Sequence, residues 1–386
     1  MTRPRVVGTA AALALLLSGC SSEHSGAANQ PAGTDGGAGG SGGAPPELGA
    51  PLDAPTDESW VWIPIEGTQC ADGTEAGVGV NFTTQSKNLV VWFQGNGVCY
   101  DLTSCTLFQS ELTGMGPDPL NHLWWGDPNT DHLGLFDRSD PTNPFRRDNF
   151  VAFPHCGVDG HTADKESTYP PLPTVHQHGY SNVTTAIPRI LATFQDATRV
   201  IVTGFSAGGI GAAANYDHIA KGFEALGMPP PFLIVDAGPI LRPPYAGPNA
   251  TAALRNGWGL ENTIDTWCDT CAEEGYHAGY QELLQKHKGL RSAIVSSYND
   301  NVATPLYLLL NGSAFDGARF EEGLRDLATW TEGLLPDVAP SVHHEFYYPG
   351  ARHGALVVAP LPSTTGLEDF LNAQLNGDSS WATIEQ

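Results

Sequence analysis

Residues 199–209 read Arg199-Val200-Ile201-Val202-Thr203-Gly204-Phe205-Ser206-Ala207-Gly208-Gly209, and this stretch decides how the chain folds. Its first five residues form an apolar, β-branched run of the kind that fills a buried strand. Ile210, Gly211 and Ala212–Ala214 then open a helix of small residues. Between strand and helix stands Gly-x-Ser-x-Gly, the pattern of a turn so tight that side chains at its glycines would strike its neighbours. Such a turn lifts the Ser206 hydroxyl over the sheet edge, at a helix N-terminus whose dipole favours developing negative charge. The motif by itself also fits a serine capping an ordinary turn. The flanking strand and helix make Ser206 the candidate nucleophile.

Working outward, similar apolar runs recur at Asn88–Phe93, Phe150–Pro154, Phe232–Val235, Ala293–Ser296 and Glu345–Tyr348. Amphipathic segments lie between them: Asn182–Phe194, Gly209–Leu226, Tyr276–Lys288 and Ala318–Leu335. Pro188 should kink the first of these or shift its start. Apolar strands alternating with helices predict an α/β fold, with a mainly parallel central sheet covered by helices on both faces. The Pro-, Gly- and Asp-rich stretch Thr106–Arg147 is long for a loop and is expected to form one wall of a substrate cleft.

A serine needs a base to take its proton. In α/β-hydrolases the partners follow in the order Ser, acid, His. The last two strands end at His353, in Pro349-Gly350-Ala351-Arg352-His353-Gly354, and at Asp300, in Ser297-Tyr298-Asn299-Asp300. Both should therefore reach the sheet edge that carries Ser206, with His353 as base and Asp300 orienting it. Asp236 also ends a strand and is a rival for the acid. His343 and His344 fall in or just before the last strand and read as structural. The oxyanion hole is expected from the Ala207 amide together with Gly95, Asn96 and Gly97, in Gln94-Gly95-Asn96-Gly97. A plain glycine-rich turn would look the same on that segment alone.

Gln94-Gly95-Asn96-Gly97-Val98-Cys99 with Ser104-Cys105, followed by Gly204–Gly209, resembles the pectin acetylesterase/Notum family. Supporting segments are Cys70–Thr74, Phe136-Asp137-Arg138, Asn143-Pro144-Phe145, Val151–His161, His178–Asn182 and the Asp300 and His353 neighbourhoods. The likeness runs from about Trp60 to Val357. It implies an α/β-hydrolase-like fold, a Ser206–Asp300–His353 triad and hydrolysis of carboxylic esters without a metal or other cofactor. It also places Gly95, Asn96 and Ala207 in the oxyanion region. The chain departs from many relatives in having Asn96 within an otherwise glycine triplet, and Val98 where a Trp often precedes the Cys.

The rest of the sequence bounds the setting. Arg3 and Arg5 precede an apolar stretch, Val6–Leu17, which has signal-peptide length and is short for a membrane span. It ends in Leu17-Ser18-Gly19-Cys20, which resembles a lipoprotein signal with Cys20 as the lipid attachment point. We expect residues 1–19 to be a lipoprotein signal peptide, 20–55 a flexible Gly/Ser/Pro-rich tether and 56–386 the catalytic domain. The net charge of -24 argues against nucleic-acid binding and against a polyanionic carbohydrate such as pectin itself. The six remaining cysteines allow fifteen pairings. We expect Cys99–Cys105 and Cys268–Cys271 as local loops and Cys70–Cys156 as a long staple. Cys268-x-x-Cys271 has redox spacing, but no strand runs directly into it as a thioredoxin-like site requires.

His155, His161, His176 and His178 fall near Asp159 and Asp164, but their spacing matches no zinc motif and they are expected to line the cleft or cap loops. Asp127, Asp131, Asp137 and Asp140 lack an EF-hand pattern and read as turn residues. The expectation is a monomeric, metal-free serine esterase, exported and anchored to the cell envelope by its N-terminal lipid. Its substrate is expected to be a small acyl ester, acetyl first, on a saccharide or related polymer. A lipid- or polyester-cleaving hydrolase is the alternative within the enzyme class, and a surface binding lipoprotein without turnover the alternative outside it.

Overall fold

The computed structural model describes residues 46–123, 134–311, 315–357 and 361–386. Cys20, the signal segment, Asp127 and Asp131 lie outside the described residues. The eleven described strands are β1 (Asp57–Gln69), β2 (Glu75–Thr83), β3 (Leu89–Phe93), β4 (Asn149–Phe153), β5 (Lys165–Thr168), β6 (Thr174–Gln177), β7 (Val200–Phe205), β8 (Phe232–Asp236), β9 (Arg291–Ser297), β10 (Val342–Tyr348) and β11 (Ile384–Glu385). The helices are α1 (Leu102–Leu107), α2 (Pro119–Leu123), α3 (Gly179–Thr193), α4 (Ala207–Ala225) and α5 (Pro248–Trp258). They continue with α6 (Cys271–Glu274), α7 (Ala278–Lys286), α8 (Ala303–Asn311), α9 (Gly317–Val338) and α10 (Leu367–Asn376).

Nine strands form one sheet in the order β1-β2-β4-β3-β7-β8-β9-β10-β11. Strands β4 to β11 of that sheet are parallel to one another, and β1 and β2 add an antiparallel edge. Every residue of β3 and β7 is buried, as a parallel sheet covered on both faces requires. Alternation along the strands sends Leu89, Val91, Phe93, Val200 and Val202 to one face and Val90, Trp92 and Ile201 to the other. The first face packs on α3, α4, α7 and α9 through residues such as Ile190, Phe223, Leu283 and Leu324. The second is closed by α10, through Phe370 and Leu371, and by loop residues including Phe136, Phe145 and Leu356. The architecture is the α/β-hydrolase-like fold expected, with its helices shared unequally between the faces.

Three features depart from the sequence reading. The β1–β2 hairpin was not foreseen. Pro188 lies inside an unbroken α3, so it does not mark the helix start. Residues 46–55, assigned by composition to the tether, pack on that helix: the Gly49 amide donates to Pro188 O at 3.0 Å and the Leu52 amide to Thr193 Oγ1 at 2.8 Å. Leu52 is buried, and that apolar contact with two backbone anchors fixes the segment where Gly/Pro content alone suggested freedom. The three disulfides are Cys70–Cys156, Cys99–Cys105 and Cys268–Cys271. The last pair is fully buried, which leaves no exposed thiol chemistry for its redox spacing to serve.

Candidate active site

Ser206 caps α4 directly after β7, with φ 59° and ψ -124°. A non-glycine residue held at such a φ is strained. The strain is held by hydrogen bonds: the Ser206 amide donates to Asp236 O at 2.8 Å, and Ser206 O accepts from the Gly209 amide at 2.9 Å. A side chain at Gly208 would meet Phe93 O at 2.0 Å, and one at Gly95 would meet Phe205 O at 2.1 Å. Glycine at these two positions lets the β3 loop and the serine turn touch backbone to backbone.

His353 follows β10 and Asp300 follows β9, and the two loops are laced together. The Asn299 amide donates to Gly350 O and the Asn301 amide to Ala351 O, both at 3.1 Å, while Ser297 Oγ donates to Arg352 O at 2.7 Å. His353 Nδ1 lies 2.8 Å from each Asp300 carboxylate oxygen. Asp300 is fully buried and also accepts from the Val302 and Ala303 amides at 2.9 and 2.8 Å. One carboxylate thus orients the imidazole and anchors the start of α8. The His353 ring stands 4.9 Å from the ring of Phe205, beside the serine turn. Its Nε2 has no hydrogen-bond partner among the described residues.

Asp236, the rival acid, does not pair with the imidazole. Its carboxylate accepts from the Ala355 amide at 3.0 Å and the Leu356 amide at 2.8 Å. Burial pushes this carboxyl up to about 6, against the pull of those two amides. Since its own carbonyl also holds the Ser206 amide, Asp236 ties the serine turn to the histidine loop.

In the oxyanion region the Gly95 and Asn96 amides donate to no described residue, and the Ala207 amide opens α4, whose first turn lacks intrahelical acceptors. Gly97 differs from expectation. Its amide donates to Asn96 Oδ1 at 2.9 Å, so it is already spent. The Asn96 Nδ2 group donates in turn to the Glu111 carboxylate. Asn96 thus braces the loop with its own side chain.

Ser206 and His353 open into a cavity of about 740 Å³. Leu107, the last residue of α1, and Phe108 just after it form part of one wall. The facing wall comes from the segment between β8 and β9 and from α8: Ile240, Leu254, Trp258, Trp267 and Leu306 are examples. Among the described residues lining the cavity none is Asp, Glu, Lys or Arg. Sequence reasoning missed this apolar cap. Its signal was the large apolar residues spaced along 240–283, which no strand of the sheet accounts for. Tyr307 Oη braces the cap by donating to Pro239 O and accepting from the Leu241 amide.

His155 and His161 lie buried behind the β3 loop and are not among the residues lining the Ser206 cavity. His161 Nε2 contacts Gln94 O at 2.8 Å, and His155 Nε2 accepts from the Gly160 amide at 2.7 Å. Burial pushes His161 down to about 4, so it supports this loop as a neutral ring. His343 is buried in β10 against Ser292, and His344 packs on Trp381; both are structural.

Residues 62–229 match the family model described as Pectinacetylesterase. The match spans β1 to α4, and so includes Gly95–Gly97 and the Ser206 turn. It supports the pectin acetylesterase/Notum assignment and, with it, an esterase. Among curated proteins none matches the chain.

Proposed function

We propose that this member of the pectinacetylesterase family is a serine carboxylesterase in which Ser206 is the nucleophile, His353 the base and Asp300 the group that orients it. Ser206 Oγ attacks the ester carbonyl as His353 Nε2 takes its proton. The Gly95, Asn96 and Ala207 amides receive the oxyanion. His353 then protonates the departing alcohol, and water activated by the same imidazole releases the acid. The observation that carries the reading is the convergence of Ser206 and the Asp300-paired His353 on one cavity. Three disulfides support an extracytoplasmic setting, and the Cys20 signal supports a lipid anchor there.

The family description points to an acetyl ester, with an extracytoplasmic saccharide as the first substrate to consider. The cavity favours a second reading. At about 740 Å³ it has the size of a site for a drug-sized ligand, roughly 300–1,000 Å³, far beyond what three acetyl heavy atoms fill. Its uncharged lining, continued at the mouth by the exposed Leu107, Val302, Leu308 and Leu309, supports a longer apolar acyl chain.

Hydrolysis of p-nitrophenyl esters of increasing chain length, beside Ser206→Ala, tests both readings. Activity in the native protein and a loss of at least about 10⁴-fold in the variant are expected. A maximum at acetyl supports the saccharide deacetylase, and a maximum at longer chains supports the apolar-acyl reading. A folded protein inactive on every ester would sink the esterase proposal.

A further inference from the structure

Away from the cavity, the β5–β6 hairpin gathers a different chemistry. His176 lies in β6 and His178 one residue past its end, at the N-cap of α3, and Glu166 is the direct cross-strand partner of His176. Each of the three offers one ligand atom, and these atoms all lie within 4.8 Å of one another. His176 Nδ1 stands 3.1 Å from Glu166 Oε1 without making a hydrogen bond there. Two ligand atoms each about 2.0 Å from a tetrahedral zinc lie about 3.3 Å apart, so this pair already has the spacing of one ligand edge. The remaining separations must close, and the largely exposed Glu166 side chain has room to rotate.

The surrounding groups are those a metal-binding histidine needs. His178 Nδ1 is bonded to Asp164 Oδ1 at 2.8 Å, and Ser181 Oγ holds the same oxygen at 2.8 Å. A carboxylate on one ring nitrogen fixes the tautomer and turns the other nitrogen into a lone-pair donor. The Asp164 and Glu166 charges also outweigh the partial positive charge at the start of α3 that follows His178. The linear spacing hides this set, since the carboxylate ligand comes from the opposite strand.

We propose that Glu166, His176 and His178 form a binding site for a divalent transition-metal ion of the zinc class, with Asp164 orienting His178. Two nitrogens and one carboxylate oxygen suit Zn2+ better than Ca2+ or Mg2+, which take oxygen ligands. The ion clamps the hairpin, whose other contacts reach the loops around two disulfides: the His176 amide donates to Ala71 O at 2.9 Å, and Tyr169 Oη donates to Tyr100 O at 3.1 Å. Its role is therefore to stiffen the frame beside the Gly95–Gly97 loop, and it takes no part in ester hydrolysis.

Titration of the chelator-treated full chain with ZnCl2, by calorimetry and by thermal unfolding, tests the site. We expect one ion per chain, a higher Tm with Zn2+ and none of this with Ca2+. Binding should disappear in His176→Ala/His178→Ala and weaken roughly 10- to 100-fold in Asp164→Asn. Ester hydrolysis by the double variant should stay at the native level, which separates this site from the esterase reading. Zn2+ binding that survives in the double variant, or a native chain that binds no Zn2+, would overturn the proposal.

Discussion

On one side of the cavity the chain presents backbone. Gly95, Asn96 and Ala207 offer amides, and the serine turn meets the β3 loop so closely that Gly95 and Gly208 admit no side chain. On the other side it presents side chains, an uncharged wall of Leu and Trp from α5, α7 and α8 with Ile240 and Ile264 from the segments flanking α5. Backbone geometry on the first side is set by the parallel sheet and tolerates almost no variation. The second side hangs on helices inserted between strands, where one apolar residue replaces another at small cost. On the proposed function, reaction type is written into the sheet edge and substrate choice into the inserted helices. Asp300 belongs to both, since it orients His353 and anchors α8.

That division can be tested from each side. Asp300→Asn keeps the shape of the group but alters its pairing with His353 Nδ1, and a fall in kcat of about 10⁴-fold is expected. A loss smaller than tenfold would remove Asp300 from the machinery. Leu306→Trp narrows the apolar wall without touching the sheet edge. It should lower kcat/KM for long-chain esters roughly 10- to 100-fold and leave acetyl esters nearly unchanged; an equal loss on both would show that the two sides are not separable.

The smallest effect concerns Asp236, which joins the serine turn to the histidine loop. Its carboxyl is raised to about 6 by burial from an ordinary 3.8. Between those values the folded protein keeps a proton that the unfolded chain has released. This group therefore favours folding below about pH 4, and that contribution is lost as the pH rises through about 6. Asp236→Asn should flatten the dependence, so that the Tm difference between native protein and variant narrows by about 2–4 °C between pH 4 and 7. Parallel Tm curves would contradict the assignment.

The strands and helices around Ser206 were legible because long apolar runs and 3.6-residue patterns leave little freedom in a sheet covered on both faces. The order of Ser206, Asp300 and His353 was legible for the same reason, since each follows a strand end. The β1–β2 hairpin was not. Its first strand mixes Pro64 and Gly67 into a half-exposed edge, which breaks the alternation on which such a reading relies. The cap escaped because α5 and α8 are short and, together with the foreseen α7, turn apolar side chains toward a cavity. The spent Gly97 amide depends on one Asn96 side-chain bond, and the tie from Asp236 to residues 355–356 spans 119 and 120 positions. Neither leaves a periodic trace.

The disulfide between Cys70 and Cys156 joins the β1–β2 turn to the chain just after β4, and Cys99–Cys105 closes the segment that follows the Gly95–Gly97 loop. A newly made chain in reducing surroundings carries these positions as separate thiols. The frame behind the Gly95–Gly97 loop is then completed only where thiols oxidise. On the function proposed above, esters sharing the compartment of synthesis would meet an unfinished catalyst, and hydrolysis would begin only at the place of oxidation.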